Sequence, residues 1–383
     1  MQKKLIALAV AGLASTAAFA QTNVTIYGVV DAGYAYSTGD RGNGANNKNS
    51  NYAGIDSGIL AGSRIGFKGE EALGNGLKTV FTLEYGLSVD GDVGIGEALV
   101  RQQFVGLNHN KLGQVALGRQ YAPGFGSNFR NDALVASAAA SPLAILNAAA
   151  GNTINAASPA RINNSITYTS PNWSGFTVSG IYGFGEAGDT SAQGISQGNN
   201  GFFGAGLNYA NGPLNLDLVY QSRQGVSTAT GIVGAASAGK VGLASVGSQD
   251  SVNEWMLGGS YDFKVVKVYA TYQDQNDNNG TSFNEASNKV WSLGATMPVF
   301  GNGKIHASYA RLSWDNSTDG ANGNSDAWAL GYTHALSKRT TLYTTYTRVS
   351  NDSDARVAAG GVANTRWIGE NNDTFTAGIN HTF

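Results

Sequence analysis

Of the 383 residues, 53 are glycine, about twice the usual ~7%, and 13% are charged, about half the usual ~25%. Aromatic residues make up 10%, which excludes disorder as the reason for the low charge, and a net charge of −2 leaves no basic footprint for nucleic acid. Cysteine is absent, and disulfides, zinc fingers and thiol nucleophiles go with it.

The first twenty residues have the form of an export signal. Lys3 and Lys4 precede an apolar run from Leu5 to Leu13, and Ala18-Phe19-Ala20 supplies the small-x-small pattern of a cleavage site. The run is well short of the ~20 apolar residues that a membrane-spanning helix needs. Cleavage before Gln21 leaves 21–383 as one exported, mildly acidic domain. The uncharged stretch 133–160 comes closest to a later membrane helix, but Pro142, Pro159, Asn147, Asn152 and Asn155 interrupt it.

From there on the period is two. Val24, Ile26, Val30 and Tyr34 alternate with Thr25, Tyr27, Asp31 and Gly33; Phe81, Leu83 and Tyr85 with Thr82 and Glu84. Leu214, Leu216, Leu218 and Tyr220 alternate with Asn215, Asp217, Val219 and Gln221. Similar rows run through Trp255–Phe263, Trp291–Met297, Trp328–Tyr332 and Phe375–Phe383. Alternation of this kind marks strands with one apolar and one polar face. Many apolar rows end in Tyr, Trp or Phe, while Gly, Ser, Thr and Asn fill the opposite rows. A barrel with lipid outside, aromatic girdles at its rims and a wet lumen has this pattern. Strand by strand, a soluble sandwich fits as well.

Connection lengths separate the two. Sixteen strands are predicted, near 24–36, 63–69, 77–87, 99–108, 113–120, 161–170, 175–184, 201–210, 213–222, 252–262, 265–274, 289–298, 303–314, 326–335, 340–350 and 373–383. Short connections such as Asn211–Gly212 and Val299–Asn302 alternate with long polar ones such as Ser37–Gly62, Gln224–Ser251 and Asn351–Asn372. The pattern predicts an all-β fold, a sixteen-stranded antiparallel transmembrane β-barrel with no free sheet edge for lipid to meet.

Val24-Thr25-Ile26-Tyr27-Gly28 and Ser63-Arg64-Ile65-Gly66-Phe67-Lys68-Gly69-Glu70-Glu71 resemble the first and second strands of the Gram-negative general porins of the betaproteobacterial type. Arg101-Gln102-Gln103-Phe104-Val105-Gly106-Leu107 and Leu117-Gly118-Arg119-Gln120 resemble the strands that lead into that family's constriction loop, and Gly378–Phe383 its C-terminal insertion signal. The resemblance implies a homotrimer of barrels in the outer membrane, among lipid and lipopolysaccharide, inserted by the assembly machinery through Phe383. Each barrel would be a water-filled pore for ions and small hydrophilic solutes, without cofactor, narrowed by an inward-folded loop at about 121–160. A connection that long in a compact domain usually means function or disorder. Its low charge and alanine content suit packing on the inner wall. It departs from the family in carrying only Arg130 and Asp132 as charges.

Candidate pore residues follow from parity and from the resemblance together. Arg64 and Lys68 stand opposite Ile65 and Phe67, Arg101 opposite Val100 and Phe104, and Arg161 opposite Ile162, Ile166 and Tyr168. The three arginines occupy positions where the family places a basic ladder; Asp132 and Glu84 are the candidate acids. Strict alternation puts Arg119 with Val115 and Leu117 on the outer side. Three arginines less one acid, Asp132, at ~5 Å in water, amount to roughly 1.7 kcal/mol before screening, and Glu84 would reduce it further, so a few-fold anion preference is expected.

Other motifs have duller explanations. Gly194-Ile195-Ser196-Gln197-Gly198 matches a nucleophile elbow but lies in a predicted loop, without the strand and helix that elbow needs. Asp274, Asn276, Asn278 and Glu285 have calcium-loop spacing, with Asn279 where the obligatory glycine belongs. His109, His306, His334 and His381 lack ligand spacing. Two other classes stay open at this point: an outer-membrane barrel hydrolase and an exported β-rich adhesin.

Overall fold

The computed structural model describes residues 23–40, 51–91, 100–185, 201–224, 251–277, 287–314, 323–352, 355, 357 and 369–383. The strands are β1 (Asn23–Asp40), β2 (Asn51–Ser57), β3 (Arg64–Gly74), β4 (Leu77–Gly86), β5 (Val100–His109), β6 (Gly113–Tyr121), β7 (Arg161–Thr169), β8 (Phe176–Gly183) and β9 (Gly201–Asn211). They continue as β10 (Leu214–Gln224), β11 (Val252–Asp262), β12 (Lys267–Asp277), β13 (Asn288–Val299), β14 (Gly303–Trp314), β15 (Asn324–Ala335), β16 (Thr340–Asn351) and β17 (Asn371–Thr382). From β3 onward each strand pairs antiparallel with its neighbour in sequence, and β17 returns to β1, Val29 lying opposite Thr382 and Asp40 opposite Asn371. The result is a closed sixteen-stranded antiparallel barrel, which excludes the sandwich.

The seventeenth segment is β2. It pairs with the far half of β1, Thr38 opposite Asn51, while β3 pairs with the near half, Val24 opposite Gly69. Together β2 and β3 are one barrel strand, interrupted by an inward bend at 58–63. The predicted loop Ser37–Gly62 therefore contains a strand. Its alternation was faint because Ile55 is the one large apolar residue that β2 turns outward. At the opposite end the connections are tight. Asn75-Gly76 joins β3 to β4 with φ of 51° and 79°, the left-handed pair that an Asn-Gly hairpin turn requires.

The faces are distributed as the alternation predicts. Leu216 is 42% exposed and Asp217 1% exposed. Outside lie Val24, Ile26, Leu218, Leu257, Leu293, Leu330 and Ile379; inside lie Asp31, Gln221, Glu254, Thr345 and Thr374. Near the loop ends of the strands, aromatic pairs sit on the outer face: Trp255 with Tyr272, Trp291 with Tyr309 and Trp328 with Tyr346, ring centroids 5.2–5.3 Å apart. Such a belt belongs at a membrane–water interface. No helix among the described residues is long and apolar enough to cross a membrane.

The connection from β6 to β7 folds into the lumen. It carries α1 (Pro123–Arg130), α2 (Pro142–Ala149) and a 3-10 turn at Ser158–Ala160. Pro at the first position starts each helix without losing a backbone bond, and Ser141 caps α2 by accepting from the Ala144 amide. Leu143, Ile145 and Leu146 of α2 are fully buried among Val290, Ala310, Leu312 and Ala327 of the wall. Two wall carboxylates hold the rest. Glu254 accepts from the Thr153 and Ile154 amides at 2.9–3.0 Å. Asp217 accepts from Ser127 and Asn131 and pairs with Arg130 at 2.5 Å. On the far side Ser137 donates to the Ile59 carbonyl at 2.6 Å, and His306 meets the Ala133 carbonyl at 2.8 Å.

This placement predicts opposite fates for two adjacent residues. Leu216→Arg, facing hydrocarbon, should cost up to about 2–4 kcal/mol, the scale at the bilayer midplane, in urea-dependent folding into vesicles. Asp217→Asn should leave barrel folding nearly intact but release α1, which would be read as noisier single-channel current. Equal effects of both on folding would overturn the assignment of faces.

Candidate functional site

On the lumenal wall, Glu84 of β4 is the centre of a cluster. Arg101 Nε donates to it at 2.7 Å, and Arg64 Nε lies 3.7 Å away. The hydroxyls of Tyr27 and Tyr121 donate to the same carboxylate at 3.0 Å each. Arg161 stands over the Tyr121 ring, 5.7 Å from its centroid, so that Tyr121 joins it to the others. Arg64 also donates to the Gly62 carbonyl at 2.8 Å, which ties the cluster to the inward bend. Three arginines and one carboxylate leave a surplus of positive charge. They sit on β3, β4, β5 and β7, whereas the two helices pack chiefly on β9–β11 and β13–β15.

Arg64 arrives by simple parity, since Ile65 and Phe67 pair with Tyr85 and Leu83 on the outer row. Arg101 does not. Phe104 pairs with Thr82 and faces the lumen, while Val105 and Leu107, which share the parity of Arg101, are 52% and 50% exposed on the outside. A β-bulge corrects the aim: Glu84 pairs with Gln102 but Tyr85 with Val100, so Arg101 is the extra residue and turns inward. A second bulge lies between β6 and β7, where Gly118 pairs with Ser165 and Gln120 with Ile162. Ile162 thereby faces the lumen and packs on Ala122, Ile181 and Phe202, against the expectation that it stands outside with Ile166 and Tyr168. Gly118 has φ of 136°, and a side chain there would run into the Gln103 carbonyl, so the bulge requires glycine.

The remaining candidates lie apart from Glu84. Lys68 is exposed, its Nζ 5.1 Å from the Tyr27 ring centroid. Asp132 is buried within the loop, where its side chain accepts from the Ala136 amide and the Ser141 hydroxyl. Burial pushes its carboxyl above the usual range, and those hydrogen bonds oppose the shift. Asp132 thus organises the loop and is not among the groups gathered at Glu84. Arg119 stitches the second bulge, donating to the Val100 carbonyl at 2.9 Å and to Asn163. Phe383 exchanges backbone bonds of 3.1–3.2 Å with Gly28, and its ring covers the space that a side chain at 28 would fill.

Parity missed Tyr27 and Tyr121 as partners of Glu84, and Glu254 as an anchor, although Tyr27 and Glu254 each stand on a polar row. Asp274 and Asn276 lie within β12, so the first half of the calcium-loop spacing is extended strand; Asn278 and Glu285 lie outside the described residues. So do the export segment 1–20 and the Gly194–Gly198 motif. Each histidine sits on its own strand: His109 accepts from the Lys111 amide, and His334 and His381 pair with Tyr332 and Thr340.

The pattern that defines Gram-negative porins matches residues 7–354. An outer membrane porin of Bordetella pertussis is 32% identical over 308 residues, covering 72% of this chain and 70% of that one. One from Delftia acidovorans is 33% identical over 305 residues, covering 79% and 78%. Among solved structures, an anion-selective porin from Comamonas acidovorans superposes with a TM-score of 0.75 at 28% identity, over 95% of this chain and 100% of that one. Closed barrel, lumenal loop, apolar exterior and these likenesses agree: the chain belongs to the Gram-negative porin family and is a diffusion porin of the outer membrane.

Proposed function

We propose that the pore is narrowed between the connection 122–160 and the wall that carries Arg64, Arg101, Arg161 and Glu84, and that this eyelet gives a few-fold preference for anions. The observation that carries the reading is the composition of the cluster: three guanidiniums, charged at any physiological pH, around one carboxylate. Two uncompensated charges at ~5 Å in water amount to roughly 1.7 kcal/mol, an upper limit near twentyfold before salt screens it. The relative from Comamonas acidovorans, described as anion-selective, supports the sign. In this balance Glu84 takes the place that the sequence had assigned to Asp132. Lys68, one step nearer the turns, adds to the positive approach.

Reversal potentials in a salt gradient test the eyelet. Replacing Arg64, Arg101 and Arg161 by serine should abolish the anion preference and reverse it toward cations through Glu84. An unchanged reversal potential would move selectivity to the loop mouths.

The channel acts passively on ions and small hydrophilic solutes, with no catalytic step, as a homotrimer among outer-membrane lipid and lipopolysaccharide. Support for the trimer is the family resemblance; unheated protein in detergent should migrate at trimer mass and convert to monomer on heating. Residues 1–20 serve as the export signal and 21–383 as a single barrel domain. Phe383 acts in insertion by the assembly machinery, and its seat on Gly28 places it also at the seam. Deleting it should leave material in the periplasm at high expression, because the remaining register of β1 with β17 can hold a finished barrel but the signal is gone. Normal outer-membrane yield at every expression level would sink that role.

A further inference from the structure

Beyond the arginine cluster, on the turn side of α1, the lumen opens into a recess of about 460 Å³, within the usual range of small-ligand sites. Its lining includes the rings of Phe104, Tyr121 and Phe125 and the amides of Gln102, Gln120 and Asn208. The rings are set in advance: Tyr121 and Phe125 stack at 3.6 Å with planes 10° apart, and Phe129 braces Phe125 at 5.0 Å. Phe104 is held on the lumenal side by its register with Thr82. Gln120 is held by the Ala116 and Ser165 carbonyls and by Thr167, and the Asn208 NH2 by Asp217 and its neighbours, so the Gln102 amide supplies a donor and an acceptor and Asn208 an acceptor.

Charge decides the ligand class. Arg130 is the one ionic group in the lining among the described residues, and it is bound to Asp217 at 2.5 Å. The recess is therefore close to neutral, unlike the cluster on the other side of Tyr121. Phosphate or a carboxylate gains more at Glu84's arginines than here. A ring with C–H faces and a rim of hydroxyls suits the recess: its faces lie on aromatic surface while its rim exchanges hydrogen bonds with amides. Resting on the diffusion-pore reading, we propose that this recess is a subsite for small neutral polyhydroxylated rings, of monosaccharide size, met by a solute once it has passed the arginines. Tyr121 borders both places, with its hydroxyl on Glu84 and its ring in the recess.

Current through single channels, recorded with rising glucose or with glycerol at matched viscosity, tests it. Glucose should lower the wild-type current along a saturating curve, and glycerol should lower it linearly. Phe104→Ala and Gln102→Ala should each shift the glucose midpoint upward by roughly five- to tenfold, the scale of one lost aromatic or hydrogen-bonding contact. Gln102→Ala keeps the test decisive should Phe104→Ala fail to assemble. A linear glucose response in wild type, or a midpoint unmoved in the variants that assemble, overturns the subsite while leaving the pore intact. Absence of any conductance would overturn the pore reading itself, and the subsite with it.

Discussion

In hydrocarbon a backbone amide has no water to fall back on, so an open sheet edge there would leave a row of unmet hydrogen bonds, each costing several kcal/mol. The seam where Val29–Asp40 meets Asn371–Thr382 removes that edge. Everything lumenal depends on this closure, because the cluster at Glu84 and the docking surface of the loop are built from strands that only a closed sheet brings face to face. The seam has its own lumenal lock. Asp31 of β1 accepts from Tyr343 of β16 at 3.0 Å and from Asn380 of β17 at 2.8 Å, and from the Leu60 and Ala61 amides at 3.2–3.3 Å. One carboxylate thus joins three strands and fixes the inward bend.

Carboxylates recur in this role. Asp31, Glu84, Asp217 and Glu254 are all nearly inaccessible, and each is surrounded by donors from separate parts of the chain. A buried carboxylate is costly unless its lone pairs are met, and here they are met by several donors at once. The consequence is specificity of placement: the loop can rest where Glu254 finds the amides of Thr153 and Ile154 and Asp217 finds Arg130, and a shift by one residue would strand both charges.

Barrel, strand count, turns and faces were legible in the sequence because each follows from a period of two and from connection length, which tolerate errors of a few residues. What escaped was local. Arg101 reached the lumen although Phe104, taken as its outward neighbour, also faces the lumen; the bulge opposite Glu84 accounts for both, and a bulge leaves no mark on hydrophobic periodicity. Ile162 was misassigned for the same reason at Gly118. Strand β2 was hidden because Ile55 is the one large apolar residue on its outer row, too few to show an alternation. The anchor role of Asp217 was missed because parity tells that a residue faces inward and nothing of what it meets there.

The loop's contacts also bear on the order in which the molecule assembles. Ala140 meets Thr347, 207 residues later in the chain, and Asn128 meets Met256, 128 residues later. Contacts this distant in sequence form slowly, since long closures must be completed before they contribute. The segment that narrows the lumen cannot find its seat until β10–β16 exist as wall. Closing the sheet therefore does not by itself finish the pore: the lumen stays open at the long-loop end where this segment is rooted, and its seating decides whether the finished molecule is a narrow pore or a wide one.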